Sequence, residues 1–198
     1  MTEDQLWPRT NYKPWGLQKE LQKGKIPHEG DIKVIAANIK NARVRALFVM
    51  LYLTAGRVSE LCYELKKKDL TIQYMRGRTV LLINMPNRKH KTRHFKDIPI
   101  PLDKEEVLLE YLNQYLKTLR PDQPLFDFGH IYSYQMIRKY TGWNNHWIRH
   151  LRLTHLVVNH DFNEQLLVRF AGWTNSMPAA QYMELRWGDI LSKYIIFL

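Results

Sequence analysis

The chain has 198 residues, enough for one domain with a full core, and its 45% hydrophobic content is that of an ordinary folded protein. With 30 Lys and Arg against 19 Asp and Glu, the formal net charge is +11, an excess that points to a polyanionic partner. A lone cysteine, Cys62, excludes an intramolecular disulfide and a cysteine-based zinc site and fits a cytoplasmic setting; the acid- and proline-bearing N-terminus lacks a signal-peptide pattern, and no apolar run is long enough for a membrane span.

Residues 1–30 hold Pro8, Pro14, Gly16, Gly24, Pro27 and Gly30 and keep no period, which reads as an extended arm or lead-in. Asp31 is the expected N-cap of a helix over DIKVIAANIK, and ARVRALFVMLYLTAG is apolar enough for a buried helix that Gly56 interrupts. Ser59 and Glu60 open a short helix, SELCYEL, ending at Lys66, Lys67 and Lys68. The period then changes. TIQYM, TVLLINM and HFKDIPIPL read as three antiparallel strands, with a turn at Arg76-Gly77-Arg78 and a basic loop, NRKHKT, between the second and third. A helix expected from Asp103 to before Pro121 puts Leu108, Leu112, Tyr115 and Leu119 on one face. Beyond Tyr132 the pattern is helical: YSYQMIRKY, NHWIRHLRLTHLVVN, NEQLLVRFAG and a short piece around AAQYMEL. The fold class is therefore mainly α with a small antiparallel three-stranded β-sheet.

Several residues could carry chemistry. Arg57 follows Gly56 at a loop-to-helix junction with Glu60 three positions on, so the two share a face. An arginine there can fork onto two phosphate oxygens while the carboxylate holds it, although the same spacing also makes a plain surface ion pair. His146 and Arg149 are likewise three apart, and could grip the same phosphate. His146 and His150 also have a zinc spacing, but no acidic residue stands between them and no third ligand is evident. Trp173 follows Gly172, and Tyr182 stands nine residues later; either aromatic could be simple core.

The order Arg-x-x-Glu, basic hairpin, His-x-x-Arg, Gly-Trp and Tyr, with 33 residues from Arg149 to Tyr182, resembles the tyrosine recombinase and phage-type integrase family. The resemblance covers about Asp31 to Leu185: AGRVSEL is similar to the first arginine box, HWIRHLRLTHL to the His-x-x-Arg box, and AGWTNSMPAAQYMEL to the Gly-His/Trp box with its nucleophile. RHLRLTHL, with tryptophan in the third box, looks most like integrases of archaea and their plasmids or viruses.

That resemblance implies the tyrosine recombinase catalytic-domain fold and a DNA strand transferase. Arg57 and Arg149 would clamp the scissile phosphate with His146 and Trp173, and Tyr182 would attack to give a 3′-phosphotyrosyl intermediate. The leaving oxygen would take its proton from a hairpin lysine, for which the sequence offers Lys89, the first after the strand, and Lys91. Glu60 would buttress Arg57, and His150 matches the second histidine of the His-x-x-Arg-His pattern. No cofactor is needed, neither ATP nor metal. The implied partners are double-stranded DNA and further copies of the chain, as a tetramer on two sites, with no membrane. The expected organisation is an arm or lead-in over 1–30, a catalytic domain over 31–185 and an apolar tail over 186–198, a tail that recombinases often pass to a neighbouring protomer. The segment ahead of Arg57 is too short to hold the family's separate core-binding domain as well as the first catalytic helices. Two other readings stay open: a DNA-binding module of this fold that no longer cuts, and a type IB topoisomerase.

Overall fold

A computed structural model describes residues 27–87 and 94–183. The arm up to residue 26, the basic loop that holds Lys89 and Lys91, and the apolar tail lie outside the described residues.

Two helices organise the described chain. Helix α2 (Ala42–Thr54) is capped by Asn41, whose side chain accepts from the Arg43 and Val44 N–H groups at 3.1 Å. Every residue from Ala46 to Thr54 is buried, as expected for a helix that is apolar all round. α1 (Glu29–Asn38) packs against it and starts two residues before the expected Asp31 cap. His28 holds the cap position, and Asp31 returns its carboxylate to the His28 N–H at 2.8 Å, so the acid caps the helix from its first turn.

α3 is only Val58–Leu61, shorter than the SELCYEL helix expected. The chain leaves it at Cys62, which bridges to Phe126, and the Tyr63 N–H donates to the Phe126 carbonyl at 2.8 Å; pairing with a distant segment ends the helix. The sheet then forms as expected in kind and order, with β1 and β2 longer and β3 one residue shorter than expected: β1 (Leu70–Met75), β2 (Arg78–Asn87) and β3 (His94–Pro101), antiparallel in the order β1-β2-β3. Arg76 and Gly77 make the two-residue loop between β1 and β2, both at positive φ (49° and 77°), where a glycine is needed to match the strand twist.

α4 (Glu106–Leu116) starts three residues later than Asp103, because Asp103 pairs with Arg78 at 2.5 Å instead of opening the helix. Its expected face is buried at Leu108, Leu112 and Tyr115, and Leu119 is buried just past its end. α5 (His130–Thr141) stops at Gly142 in the left-handed region. α6 (Asn145–Val158), capped by Asn144, is the second organising helix and is buried from Trp147 to Val157. α7 (Glu164–Ala171) ends at Gly172, also left-handed, and α8 (Met177–Met183) carries Tyr182.

The main core wraps α2. A second apolar cluster of Ala55, Leu153, Leu156, Val157, Leu167, Ala171, Ala179 and Tyr182 fastens α7 and α8 to α6. Burying a Leu or Val side chain is worth roughly 1.5–3 kcal/mol, so this small cluster suffices to fix Tyr182 beside α6. Among the described residues no helix is long and apolar enough to cross a membrane.

Candidate active site

The α2–α3 corner, the first half of α6, the end of α7 and the sheet converge on one cluster. At the corner, Thr54 folds its hydroxyl onto the Met50 carbonyl at 2.6 Å and accepts from the Gly56 N–H at 3.0 Å. A Cβ on Gly56 would stand 2.7 Å from that hydroxyl oxygen and 3.2 Å from the Met85 methyl, so only glycine lets the chain turn here against β2. Arg57 comes next, as the cap of α3.

Arg57 donates twice to Glu60: its backbone N–H to Oε2 at 2.9 Å and Nη1 to Oε1 at 2.8 Å. The Arg57 side chain is 32% exposed, whereas that of Glu60 is fully buried. Burial pushes the Glu60 carboxyl up, but the charges of Lys96, Arg57 and Arg149 and the Arg57 N–H outweigh it and hold it below its ordinary value. Glu60 is therefore an anion that aims an arginine.

Arg149 sits on α6 at 4% exposure. Nη1 donates to the Ala55 carbonyl and Nη2 to that of Ala171 at 3.0 Å, so the guanidinium lies between the C-terminal ends of α2 and α7, where helix dipoles favour a cation. Its carbon lies 5.7 Å from the centre of the half-buried Trp173 ring, a cation–π contact. Burial, with the Arg57 charge, lowers its pKa to about 10.

His146 is exposed on the first turn of α6, and its Nε2 is 2.9 Å from Nε2 of the buried His150. The other nitrogen of His150, Nδ1, is hydrogen-bonded to the Tyr182 hydroxyl. Tyr182 is completely buried, stacked on His150 at 5.7 Å and on Trp173 at 6.0 Å between centroids. Burial, His146 and Arg149 drive the His150 pKa down to about 3, so this ring is neutral. Partial burial, Arg149 and Arg57 lower that of His146 as well.

The structure thus brings Arg57, Glu60, His146, Arg149, His150, Trp173 and Tyr182 together; Lys89 and Lys91 fall outside the described residues. Two members were missed from sequence. Lys96 on β3 is 8% exposed and its Nζ lies 3.4 Å from Glu60 Oε2 and 3.4 Å from the Ala171 carbonyl. Burial pulls its pKa down to about 8 against the attraction of Glu60, with Arg149 and Arg57 adding to the fall. A signal was there: Lys96 shares the period-two stripe of Ile98 and Ile100, so it had to be buried with them. Asn87, the last residue of β2, was also missed. Its Nδ2 donates to the Gly172 carbonyl at 3.1 Å, and a Cβ on Gly172 would come within 2.7 Å of that nitrogen and 3.2 Å of Lys96 Cδ. Close approach, as much as its positive φ, therefore demands glycine before Trp173.

No family model matches the sequence, and no curated protein matches it. Solved structures do. The chain is similar to XerH site-specific recombinase bound to difH substrate in a pre-cleavage complex, at 21% identity over 85% of this chain and 52% of that one, TM-score 0.56. It is similar to XerA recombinase, at 20% identity over 86% of this chain and 64% of that one, TM-score 0.59. XerH on a palindromic difH substrate, in a post-cleavage complex, gives 19% identity, coverages of 86% and 52%, and TM-score 0.58. The neighbours are tyrosine recombinases, and the mostly helical chain with its three-stranded sheet has their catalytic-domain fold. It spans between about half and two thirds of their length.

Proposed function

We propose that this chain cuts and rejoins double-stranded DNA as a site-specific recombinase, with Tyr182 as nucleophile. The observation that carries the reading is an imbalance of charge beside that tyrosine: among the described residues, Arg57, Arg149 and Lys96 gather around a single carboxylate, Glu60, and burial lowers the pKa of two of the three cations. A phosphodiester supplies the missing negative charge, and supplies more of it as the reaction passes through its pentacoordinate transition state.

In this reading Arg57, held square by Glu60, and Arg149, held between two helix ends, fork onto the phosphate oxygens with His146 beside them. Trp173 packs against both Arg149 and Tyr182 and keeps them in register. The Tyr182 oxygen bonds to phosphorus, the bond from phosphorus to the 5′ oxygen breaks, and the 3′ end remains on the enzyme. Lys89 or Lys91 gives the 5′ oxygen its proton. Lys96 does a different job: it ties β3 to Glu60 and to the end of α7, so the strands that bound the basic loop move with the arginine boxes. The energy of the cut bond is kept in the phosphotyrosine, so neither ATP nor metal enters. Fold alone does not carry this proposal, since one fold hosts many functions; the residues at the site do. Assembly as a tetramer on two DNA sites, and the exchange of the tail over residues 186–198 between protomers, belong to the same proposal.

A duplex nicked so that the cleaved strand diffuses away traps the intermediate. The wild-type chain should become covalently attached to it, and Tyr182→Phe should bind the same duplex without attachment. An adduct that persists in Tyr182→Phe moves the nucleophile elsewhere. Binding by the wild type with no adduct on any suitably nicked site leaves a DNA-binding module of the same fold.

A further inference from the structure

The hydrogen bonds around Tyr182 form a line that leads outward. Its hydroxyl, fully buried, meets Nδ1 of His150; Nε2 of His150 meets Nε2 of His146; and His146 is exposed. The histidines are four residues apart on α6, their rings edge to face at 4.4 Å between centroids, while the His150 ring is stacked on Tyr182 at an interplanar angle of 26°. A neutral imidazole has one N–H and one lone pair. A phenol is a better donor than acceptor, so the Tyr182 O–H points at the lone pair on Nδ1. His150 then carries its hydrogen on Nε2 and gives it to Nε2 of His146, which carries its own on Nδ1. Only this polarity lets every bond in the line carry a hydrogen away from the phenol.

We propose, on the strand-transfer reading above, that His150 takes the proton of Tyr182 as its oxygen attacks and that His146 passes the charge to solvent. The Tyr182 O–H bond breaks and its proton joins Nδ1 of His150; the Nε2–H bond of His150 breaks and that proton joins Nε2 of His146. His150 ends neutral in its other tautomer, and His146 becomes an imidazolium that releases a proton to water. The phenolic electron pair forms the bond to phosphorus, and the 5′ oxygen departs with the bond it shared with phosphorus, taking a proton from the lysine donor. A buried nucleophile cannot lose its proton directly to water, and this line is an exit for it.

The surroundings suit timing by substrate. Among the described residues, the charged and titratable groups around the two rings are Arg149 on the same helix, Arg57 at the cap of α3 and Tyr182 on α8, while Glu60 and Lys96 act on them through the arginines. Without DNA, burial and the charge of Arg149 lower the pKa of both histidines, which keeps the Nδ1 lone pair of His150 ready to accept. A phosphate gripped by the same arginines offsets their charge and makes His146 a better proton acceptor once there is something to attack. His150 thus touches the reacting oxygen, whereas His146 acts through it.

The tautomers can be read in the wild-type protein by nitrogen-15 correlation spectra of the histidine rings. Hydrogen on Nε2 of His150 and on Nδ1 of His146 is expected; hydrogen on Nδ1 of His150 overturns the proposal, because that nitrogen could not then accept. In the adduct assay, His150→Gln should slow attachment by on the order of a hundredfold or more, the usual range for losing a positioned base, and its rate should climb with pH as hydroxide takes over. Placing a fluorinated tyrosine that ionises near neutral pH at position 182 should bring His150→Gln to within about tenfold of the enzyme with His150 and the same tyrosine, since a phenolate needs no base. Failure of that rescue, with the variant still folded and binding DNA, removes His150 from proton transfer and leaves it a packing role. If the wild type itself gives no adduct, the strand-transfer reading has failed; loss of the relay alone leaves wild-type attachment intact.

Discussion

Helix α6 carries two buried arginine–histidine clusters one turn apart, and they are opposites. Arg149 and His150 lie in the first. In the second, Arg152 is 4% exposed and reaches Glu29 at 3.2 Å through Nη1 and Glu105 at 2.9 Å through Nη2, with its carbon 4.9 Å from the centre of the Tyr52 ring. His155 joins it, with Nδ1 2.8 Å from the Tyr52 hydroxyl and Nε2 2.9 Å from the Pro27 carbonyl, and His160 pairs with Glu29 at 2.7 Å. Burial pulls the Arg152 pKa down, yet Tyr52, Glu105 and Glu29 overcome it and raise it above its ordinary value; Arg149, equally buried, falls to about 10. The difference is the partners. Arg152 has two carboxylates and ties α1, α2 and the start of α4 to α6. Among the described residues Arg149 donates to backbone carbonyls and packs on an indole, and its cluster has one carboxylate, Glu60, for three cations. A buried cation with its anions present holds a fold together, while on the proposed function one held by carbonyls is left to bind an arriving phosphate.

Replacing each arginine with methionine breaks this comparison most directly. Arg152→Met leaves Glu29 and Glu105 without their shared cation, and removing one partner of a buried ion pair costs about 3–5 kcal/mol. Arg149→Met takes a donor from two carbonyls, about 1 kcal/mol each, and relieves repulsion with Arg57 and Lys96. We expect denaturant melts to show the larger loss for Arg152→Met, and the DNA adduct assay to show the larger loss for Arg149→Met, on the order of a hundred- to a thousandfold, as for a lost transition-state donor. Equal effects of both variants on both measurements would erase the distinction between the clusters.

Sequence legibility follows the same division. Short repeats of one period were readable: the buried run of α2, the alternation of β3, and the Leu108, Leu112, Tyr115 face of α4 all lie where local pattern puts them. Helix ends were not, because tertiary partners set them: Asp103 is drawn to Arg78, and Cys62 to Phe126. At the site, Arg57 with Glu60 and His146 with Arg149 could be paired by helical spacing, since each pair shares one short segment. Lys96 and Asn87 gain their meaning from Gly172, 76 and 85 positions away, and the acids that neutralise Arg152 come from residues 29 and 105. Burial alone does not distinguish Arg149 from Arg152, which stand three apart in the same helix and are equally enclosed. In the folded chain it is the carboxylates of Glu29 and Glu105, which reach Arg152, that set the two apart.

Acid sharpens the contrast. Burial, together with the charges of Arg152 and His160 and against the attraction of Glu29, lowers the His155 pKa from 6.5 to about 4. The folded state then binds fewer protons than the unfolded chain between those values, so stability rises with pH across that window. It is complete above about 6.5 and is lost as pH falls toward 4, by an amount on the order of 2–3 kcal/mol for this one ring. Glu29, whose pKa is also lowered, loses its ion pairs in the same direction as the pH drops. Chemical denaturation between pH 7 and 4.5 should show this decline in the wild type and a shallower one in His155→Gln, which keeps a side-chain amide near Tyr52 without a titrating group. A variant as acid-sensitive as the wild type would assign the decline to His150 or to carboxylates elsewhere.

The smallest expected effect tests whether the first cluster waits for an anion. Inorganic phosphate carries the charge and tetrahedral oxygens of a DNA phosphate but none of its length, so it can reach Arg57 through that side chain's exposed part without engaging the rest of the surface. A ligand that binds only the folded state stabilises it by RT ln(1 + [L]/Kd), about 1.4 kcal/mol at ten times Kd, which for a chain of this size raises Tm by roughly 3–6 °C. Phosphate also stabilises proteins generally by exclusion from their surfaces, so the quantity that matters is a difference. Wild type and Arg152→Met should gain the site-specific part equally, whereas Arg57→Met and Arg149→Met should keep only the general part, which sodium chloride at matched ionic strength does not reproduce. An identical gain in all four proteins would mean that phosphate finds no site among these cations. The shortage of negative charge around Arg149 would then be a feature of the free protein's packing, and the two clusters of α6 would differ in composition without differing in purpose.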